Sequence, residues 1–163
     1  KADSLALQIA NNNADGRVVY DDEEDHPFRV PRNVRVAIEK SENGKTTITQ
    51  NYESQGKTFA IALRNAQNIN YKYKQQDSLL ILNPRLELKE ESIWRNQEVT
   101  VTLKVPVGTR LFLNDKIYNY LNFYYYACND YTENNSDYRE WVMTEEGLKC
   151  KSELDKAKEE TNP

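Results

Sequence analysis

The sequence predicts a mainly β fold made of stacked or solenoid-like antiparallel sheets in a sandwich-like arrangement, with one short amphipathic helix near residues 57–67. Three observations support this class. Apolar and polar residues alternate in several short runs, which is the pattern of half-buried strands. Turn residues separate these runs at short intervals. Only one segment changes to the spacing of apolar residues that a helix requires.

The chain has 163 residues, which is enough for one hydrophobic core, and we expect a single β-rich domain over residues 1–151 and a polar tail over residues 152–163. Its net charge of -4 is unsuited to a nucleic-acid partner, because such binding needs concentrated Lys and Arg. No apolar run approaches the roughly 20 residues of a membrane span. We therefore expect membrane contact only through a segment outside this chain.

The first strong strand pattern starts at Val34. Val34, Val36 and Ile38 share one face, and the turn dipeptide Asn43-Gly44 precedes a β-branched run at residues 46–49. Asn-Gly between two strand patterns is a strong hairpin signal. We therefore predict a β-hairpin here.

The helical spacing falls between residues 57 and 67. Phe59, Ala62, Leu63 and Ala66 stand at i, i+3, i+4 and i+7, and Asn68 is a plausible stop. The pattern predicts one short helix whose apolar stripe is buried against the sheet.

Alternation resumes at residues 69–73, and residues 79–82 are apolar throughout, which predicts a central strand. Residues 99–105 form the clearest alternating strand, and a Pro-Val-Gly-Thr turn separates them from the apolar pair Leu111 and Leu113. Residues 118–126 predict a strand with aromatic side chains on both faces. A last strand is predicted at residues 139–144, before a Glu-Glu-Gly turn and a polar tail that we expect to fray.

Catalytic and metal-binding patterns are weak. The one histidine, His26, lies in the acidic stretch at residues 21–25, and no nucleophile motif matches it. A loose resemblance to a calcium loop at residues 11–22 lacks the expected terminal Glu and the helix that should follow it. Glycines stand singly at turns, so no phosphate-binding loop is present. We expect no catalytic residue, no metal and no cofactor, and we conclude that the chain is not an enzyme.

The most unusual feature is a concentration of tyrosine and asparagine before the second cysteine. Seven of the eleven tyrosines lie between Tyr118 and Tyr138. We favour a strand stabilised by cross-strand tyrosine pairs. The alternative is a face that binds a partner or a glycan, because tyrosine offers contact area at low entropic cost. The residues of that face would be Tyr118, Tyr120, Tyr124, Tyr126 and Tyr131.

The two cysteines, Cys128 and Cys150, are candidates for a disulfide that would close the tyrosine-rich loop. An oxidising compartment would permit this bond. Two unpaired, buried thiols are the alternative. Neither state implies catalysis.

Several segments together resemble a known family. They are the Glu-Lys-Ser at residues 39–41 with Gly-Lys-Thr at 44–46, Ile-Asn-Tyr-Lys-Tyr at 69–73, Trp-Arg-Asn-Gln at 94–97 leading into the strand at 99–105, and Trp-Val-Met-Thr at 141–144 with Gly-Leu-Lys-Cys at 147–150. This pattern is similar to the C-terminal extracytoplasmic β region of Bacteroidetes membrane proteins with an N-terminal phage-shock-protein-C-type (PspC) domain. Such regions are akin to toast-rack and adhesin-head-like modules.

The resemblance covers residues 30–150 and implies a stacked β architecture in the periplasm or at the cell surface, tethered to the membrane by a segment outside this chain. The start at Lys1 without an initiator Met fits this expectation. The implied function is non-enzymatic sensing or scaffolding in the envelope stress response. The alternative function is a surface adhesin or glycan-binding domain. We expect an envelope protein or a glycan as the partner, and homo-oligomers are a further candidate.

Overall fold

The computed structural model describes residues 4–9, 33–89, 94–121, 128, 131–132 and 135–161, and the account below concerns these residues. They form β-strands, two α-helices and one 3-10 helix, η1. The strands are β1 (Ser4–Ile9), β2 (Val34–Lys40), β3 (Thr47–Glu53), β4 (Ile69–Asn70), β5 (Tyr73–Gln76), β6 (Leu79–Leu82), β7 (Glu87–Leu88), β8 (Glu98–Val105), β9 (Arg110–Asn114), β10 (Tyr131–Thr132), β11 (Asn135–Thr144) and β12 (Gly147–Cys150). The helices are α1 (Phe59–Gln67), η1 (Asp115–Tyr120) and α2 (Lys151–Thr161).

The largest sheet has the strand order β10-β11-β9-β1-β6-β5, and β12 pairs with β11 beside this path. β1 lies inside the sheet and pairs in parallel with both β6 and β9, and the other pairings in this sheet are antiparallel. β6 lies between β1 and β5, which confirms the prediction that its uninterrupted apolar sequence marks a central strand. The parallel pairs make this sheet mixed, where we had expected antiparallel sheets.

The second sheet has the order β2-β8-β3. β8 pairs in parallel with β2 and antiparallel with β3, so the predicted hairpin between β2 and β3 is wrong. The Asn43-Gly44 turn is present, and Gly44 has a positive φ of 71°. The turn therefore connects two strands that are not neighbours, with β8 between them. Every second residue of β8 is buried, and a strand with such a face gains most stability at the centre of a sheet.

The mainly β class is confirmed, and β4 with β7 forms a third, two-stranded sheet. One hydrophobic cluster contains residues from the two larger sheets, among them Leu7, Leu82, Val101 and Leu113. The sheets therefore share a core. The domain limit that we predicted at residue 151 stays a prediction.

The predicted short helix is α1. Thr58 caps its first turn, because the Thr58 Oγ1 accepts a hydrogen bond from the backbone N–H of Ile61 at 3.2 Å. The helix ends at Asn68, as predicted. Its apolar stripe is not buried as a whole: Ala66 lies in the core, whereas Phe59 and Leu63 are exposed.

The predicted aromatic strand at residues 118–126 is wrong at its beginning, because residues up to Tyr120 belong to η1. Asn114 starts this helix, and its Oδ1 accepts a hydrogen bond from the N–H of Lys116 at 3.1 Å. Ile117 and Tyr118 are consecutive and both buried, which the alternation of a half-buried strand does not allow. Residues 122–127 lie outside the described residues.

The polar tail forms α2 instead of fraying. None of its side chains is buried, so the strong helix formers Glu, Lys and Ala account for the helix more than packing does. Its first residue is held to the sheet, because the Nζ of Lys151 lies 3.5 Å from the Oε2 of Glu140 in β11.

Candidate partner-binding surface

Tyr118 lies in the core and not on a binding face. Its side chain is buried, and its hydroxyl oxygen accepts a 2.8 Å hydrogen bond from the Nε1 of Trp141, which is buried as well. The Cζ of Arg139 lies 5.7 Å from the centre of the Tyr118 ring. Our expectation that Tyr118 could contact a partner is therefore corrected, because its ring packs against β11 and its hydroxyl is used inside the protein.

The remaining tyrosines of the predicted face do not form one surface in the described part of the chain. Tyr120 is half-buried and packs against the hydrophobic core. The structure describes only the backbone of Tyr131, which lies in β10 opposite Arg139. Tyr124 and Tyr126 lie outside the described residues. A tyrosine face through these positions stays a prediction.

A disulfide joins Cys128 to Cys150, with Cα atoms 5.8 Å apart. Both cysteines are buried, and Cys150 is the last residue of β12. Trp141 pairs with Cys150 across β11 and β12. The bond therefore connects the tyrosine-rich segment to the same sheet region that buries Tyr118.

Among the described residues, one carboxylate, Glu140, is buried. Glu140 in β11 pairs with the Nε of Arg110 and lies 3.5 Å from the Nζ of Lys151. The hydrogen bond to Glu140 raises the pKa of Arg110. Both carboxylate oxygens of Glu140 therefore have cationic partners within the protein, which is a structural role.

The adjacent acids Glu145 and Glu146 are surface residues with structural partners. The Nζ of Lys40 donates to the Oε2 of Glu145 at 3.2 Å, which raises the pKa of Lys40, and Lys149 lies 4.0 Å from Glu146. Among the described residues, no group of three or more His, Cys, Asp or Glu side chains could hold a metal ion. His26, the acidic stretch at 21–25 and the calcium-like positions at 11–22 lie outside the described residues.

The most unusual described surface is at the corner where α1 meets the end of β3. The N–H of Gln55 donates to the carbonyl of Arg95 at 3.0 Å, and the Nδ2 of Asn65 in α1 donates to the carbonyl of Gln55 at 2.9 Å. The Nδ2 of Asn96 donates to the Oε1 of Gln55 at 2.9 Å. Three chain segments therefore meet at Gln55. We call residues 52–67 and 94–96 the helix corner.

Gly56 allows the close packing at this corner. A Cβ atom at Gly56 would lie 2.5 Å from the backbone nitrogen of Ala62 and 2.9 Å from its Cα. The atoms that it would meet belong to the backbone of α1, so they cannot rotate away as a flexible side chain could. Because Gly56 has no side chain, the backbone of α1 can pack this closely against residue 56.

Large apolar side chains are concentrated on the outside of the helix corner. In the described part of the chain, six large hydrophobic residues are exposed, and five of them lie here, with Phe59 the most exposed at 84%. The five are Tyr52, Phe59, Ile61, Leu63 and Trp94; the sixth is Val107. A single exposed apolar residue is ordinary, but Phe59 and Leu63 are four residues apart and share one face of α1, and neighbouring exposed apolar side chains are typical of an interaction surface.

The helix corner also differs in charge from the rest of the protein. It carries three exposed cations, Lys57, Arg64 and Arg95, and one carboxylate, Glu53, which gives a local charge of +2 in a chain of -4. Apolar side chains bordered by cations complement a surface that presents apolar groups and carboxylates.

The sequence predicts the apolar stripe of α1 correctly, but the prediction that the stripe is buried is wrong for Phe59 and Leu63. The spacing of Phe59, Ala62, Leu63 and Ala66 is the same whether a stripe faces the core or a partner. Trp94 stands out in the sequence only as part of the family resemblance. The signal that could have been used is the coincidence of apolar and basic residues in 54–68 with no acidic residue.

These features define the class of the protein: a mainly β module whose described carboxylate Glu140 is paired with cations and whose exposed large apolar side chains are concentrated at the helix corner. A family model described as the toast-rack domain found in some PspC proteins matches residues 20–156. The chain belongs to this toast-rack family, which confirms the resemblance seen in the sequence, and the family is not one of enzymes. The comparison with curated proteins gave no significant match, and neither did the comparison with solved structures.

Neither α1 nor α2, nor any other helix in the described ranges, is long and apolar enough to cross a membrane.

Proposed function

We propose that the chain is a non-enzymatic, extracytoplasmic module of a membrane-tethered PspC-type envelope protein, and that it senses or scaffolds in the envelope stress response by binding a protein partner at the helix corner. The observation that carries this proposal is the concentration of five exposed large apolar side chains at one corner. A source in Bacteroidetes stays a prediction.

The chemistry of the corner favours one kind of partner. Phe59 and Leu63 present aliphatic and aromatic area, and Lys57, Arg64 and Arg95 surround it with positive charge. The expected partner is a protein surface with apolar side chains bordered by Asp and Glu. Cations at the rim would speed the encounter and select the partner, whereas the apolar centre would supply most of the affinity.

The alternative function, a surface adhesin or glycan-binding domain, depended on the tyrosine face. Tyr118 is buried and Tyr120 is half-buried, so two of the five positions offer little area to a sugar. Among the described residues, the helix corner offers more exposed aromatic area than this face does. The protein-partner proposal therefore has the stronger support.

The experiment uses the full-length protein in its own envelope, with the double substitution Phe59→Ser and Leu63→Ser. The matched control is Val107→Ser, because Val107 is as exposed as Leu63 but follows the opposite end of β8. We expect the double variant to accumulate and melt like the wild type and to lose the transcriptional response to envelope stress. The control should respond normally. A normal response in the double variant would reject the proposal.

The partner class is tested by a photo-crosslinking residue at position 59, with position 107 as the control site. A product with one defined envelope protein at position 59, lost on Arg64→Glu, supports a protein partner with an acidic rim. Purified chain that binds anionic lipid vesicles through Phe59 and Leu63, with no protein crosslink, would instead identify a lipid surface and reject the protein partner.

A further inference from the structure

Among the described strands, β3 is the last strand on one side of the second sheet. It pairs with β8 on one side, and on the other side no described strand pairs with it. Its seven residues have no Pro and no Lys or Arg, and the one charge is Glu53 at its end. An uncovered edge of this length presents unpaired backbone groups, and proteins that avoid association usually protect it with Lys, Pro or a covering element.

The other described edges are shorter or better protected. β5 has four residues and carries Lys74 within the strand, and β10 has only two residues. On the far side of the same sheet, Val36 of β2 forms a bridge with Leu121. Among the described strands, β3 is therefore the longest edge that carries no Pro, Lys or Arg, and α1 contacts it at the helix corner.

The geometry of antiparallel pairing restricts how β3 could pair with itself. The backbone groups of two directly opposed residues point either both toward the partner strand or both away from it, so the two residues have to be of the same parity. Among registers of this kind, only the one centred on Gln50 pairs all seven residues of β3. In this register Ile48 faces the partner's Tyr52, and Thr49 faces the partner's Asn51.

The apolar side of β3 is self-complementary in this register. Ile48 packs against the core, and Tyr52, on the same face, is 41% exposed. Tyr52 lies beside Val99, and Ile48 lies beside Leu103, in the register with β8. Pairing of two copies would therefore create a row of Val99, Tyr52, the partner's Ile48 and the partner's Leu103. Aromatic and β-branched side chains opposite each other stabilise a sheet.

The polar side of β3 carries one charge, at its end. Glu53 lies opposite Glu98 of β8, which is also 3.5 Å from Arg35, and Thr47 at the other end lies opposite Lys104. In the register centred on Gln50, Glu53 lies beside the partner's uncharged Thr47. Pairing of two copies therefore places no like charges directly opposite each other.

We infer that β3 is a self-association edge, where two copies of the chain join antiparallel about a two-fold axis at Gln50 and continue the three-stranded sheet into six strands. The interface is isologous, because each copy contributes the same strand. Tyr52 and Glu53 belong to both β3 and the helix corner, but the inference does not require a partner that binds Phe59 and Leu63. A seven-residue strand buries much less than the roughly 800 Å² per partner of a stable complex, so the dimer is weak in dilute solution.

The first test traps this weak dimer with a cysteine. In the proposed register the two copies of position 50 have Cα atoms about 4.5–5.5 Å apart, a distance that a disulfide can span. Position 47 is the control, because its two copies are separated by about 20 Å along the strands. We expect Gln50→Cys to give a covalent dimer in a glutathione redox buffer and Thr47→Cys to give at least tenfold less. Equal yields, or no dimer from either variant, would overturn the inference.

A second test needs no new cysteine and separates dimer formation from folding. Thr47→Lys places a cation opposite the partner's Glu53 twice in each dimer, whereas Thr47→Glu places a carboxylate there. The expected change in the dimer dissociation constant, measured by sedimentation, is roughly 2- to 30-fold, tighter for Lys and weaker for Glu.

Monomer stability should move in the opposite direction, because Thr47 lies opposite Lys104 within the chain. Thr47→Glu should raise the denaturation midpoint and Thr47→Lys should lower it. A dissociation constant that does not change with the sign of the charge, or that follows monomer stability, would contradict the proposed register. Loss of partner binding in the Phe59→Ser and Leu63→Ser variant leaves both tests unaffected, since neither residue belongs to β3.

Discussion

The indole Nε1 of Trp141 donates a 2.8 Å hydrogen bond to the hydroxyl oxygen of Tyr118, and both side chains are buried. Their ring centres are 6.2 Å apart, at an angle of 55° between the planes. The two residues lie on different elements, Tyr118 in η1 and Trp141 in β11. The pair fixes η1 against the largest sheet, and it is the reason that the tyrosine-rich segment begins inside the core.

The first prediction is that Tyr118→Phe destabilises the protein by about 1–3 kcal/mol, because it leaves the buried N–H of Trp141 without its acceptor. The free energy of unfolding from urea titration measures the change. Tyr52→Phe is the control: it removes a hydroxyl whose hydrogen bond to Gln50 is exposed to water, and it should change stability by less than about 0.5 kcal/mol. Equal effects of the two substitutions would argue against the buried pair.

The second prediction concerns the disulfide between Cys128 and Cys150. The bond closes a loop with a sequence separation of 22, for which the loop-entropy relation gives a stabilisation of about 3 kcal/mol. The double substitution Cys128→Ala and Cys150→Ala should lower the free energy of unfolding by roughly that amount. Reductant should destabilise the wild type and leave the double variant unchanged. A reductant effect in the variant would contradict this assignment.

The third prediction is that Gly56→Ala destabilises the helix corner by about 1–3 kcal/mol, because the new Cβ would meet the backbone of α1 at Ala62. Amide hydrogen exchange should show faster exchange in α1 than in β8. Lys57→Ala is the control, since its side chain is exposed. Unchanged exchange in α1 would mean that the close approach at Gly56 is not needed.

The fourth prediction concerns alkaline pH. Burial raises the pKa of the Tyr71 phenol above its ordinary value of 10.0, and its hydroxyl donates a 2.8 Å hydrogen bond to the carbonyl of Asn83. In the unfolded chain Tyr71 loses its proton near pH 10, while the folded protein retains it. The stability that Tyr71 contributes is therefore complete below pH 10 and is lost as the pH rises above it.

Tyr71→Phe isolates this effect. At pH 7 the variant should be less stable than the wild type by about 1 kcal/mol, because the hydrogen bond to Asn83 is lost. The difference should narrow as the pH rises above 10, since phenylalanine does not titrate. Urea titrations of both proteins at pH 7, 9, 10 and 11 measure it. A difference that stays constant with pH would contradict the burial of Tyr71.

The sequence predicted strands well where alternation was strict. Val99, Val101 and Leu103 are all buried in β8, and the Asp77 turn connects β5 to β6. The prediction failed where a local turn indicated one pair of strands and a strand distant in the sequence formed the pairs instead. The Asn43-Gly44 turn is real, but β8 inserts between the two strands that it connects. A turn determines the direction of the chain, and only the whole set of strands determines which of them pair.

The candidate surface shows the same limit. The sequence located the apolar stripe of α1, and it determined by itself the mainly β class, the helix and the family. Only the tertiary structure decided that Ala66 enters the core while Phe59 and Leu63 face outward, and that Tyr118 faces inward toward Trp141. The physical reason is that periodicity records which residues share a face, whereas burial depends on what the rest of the chain places against that face.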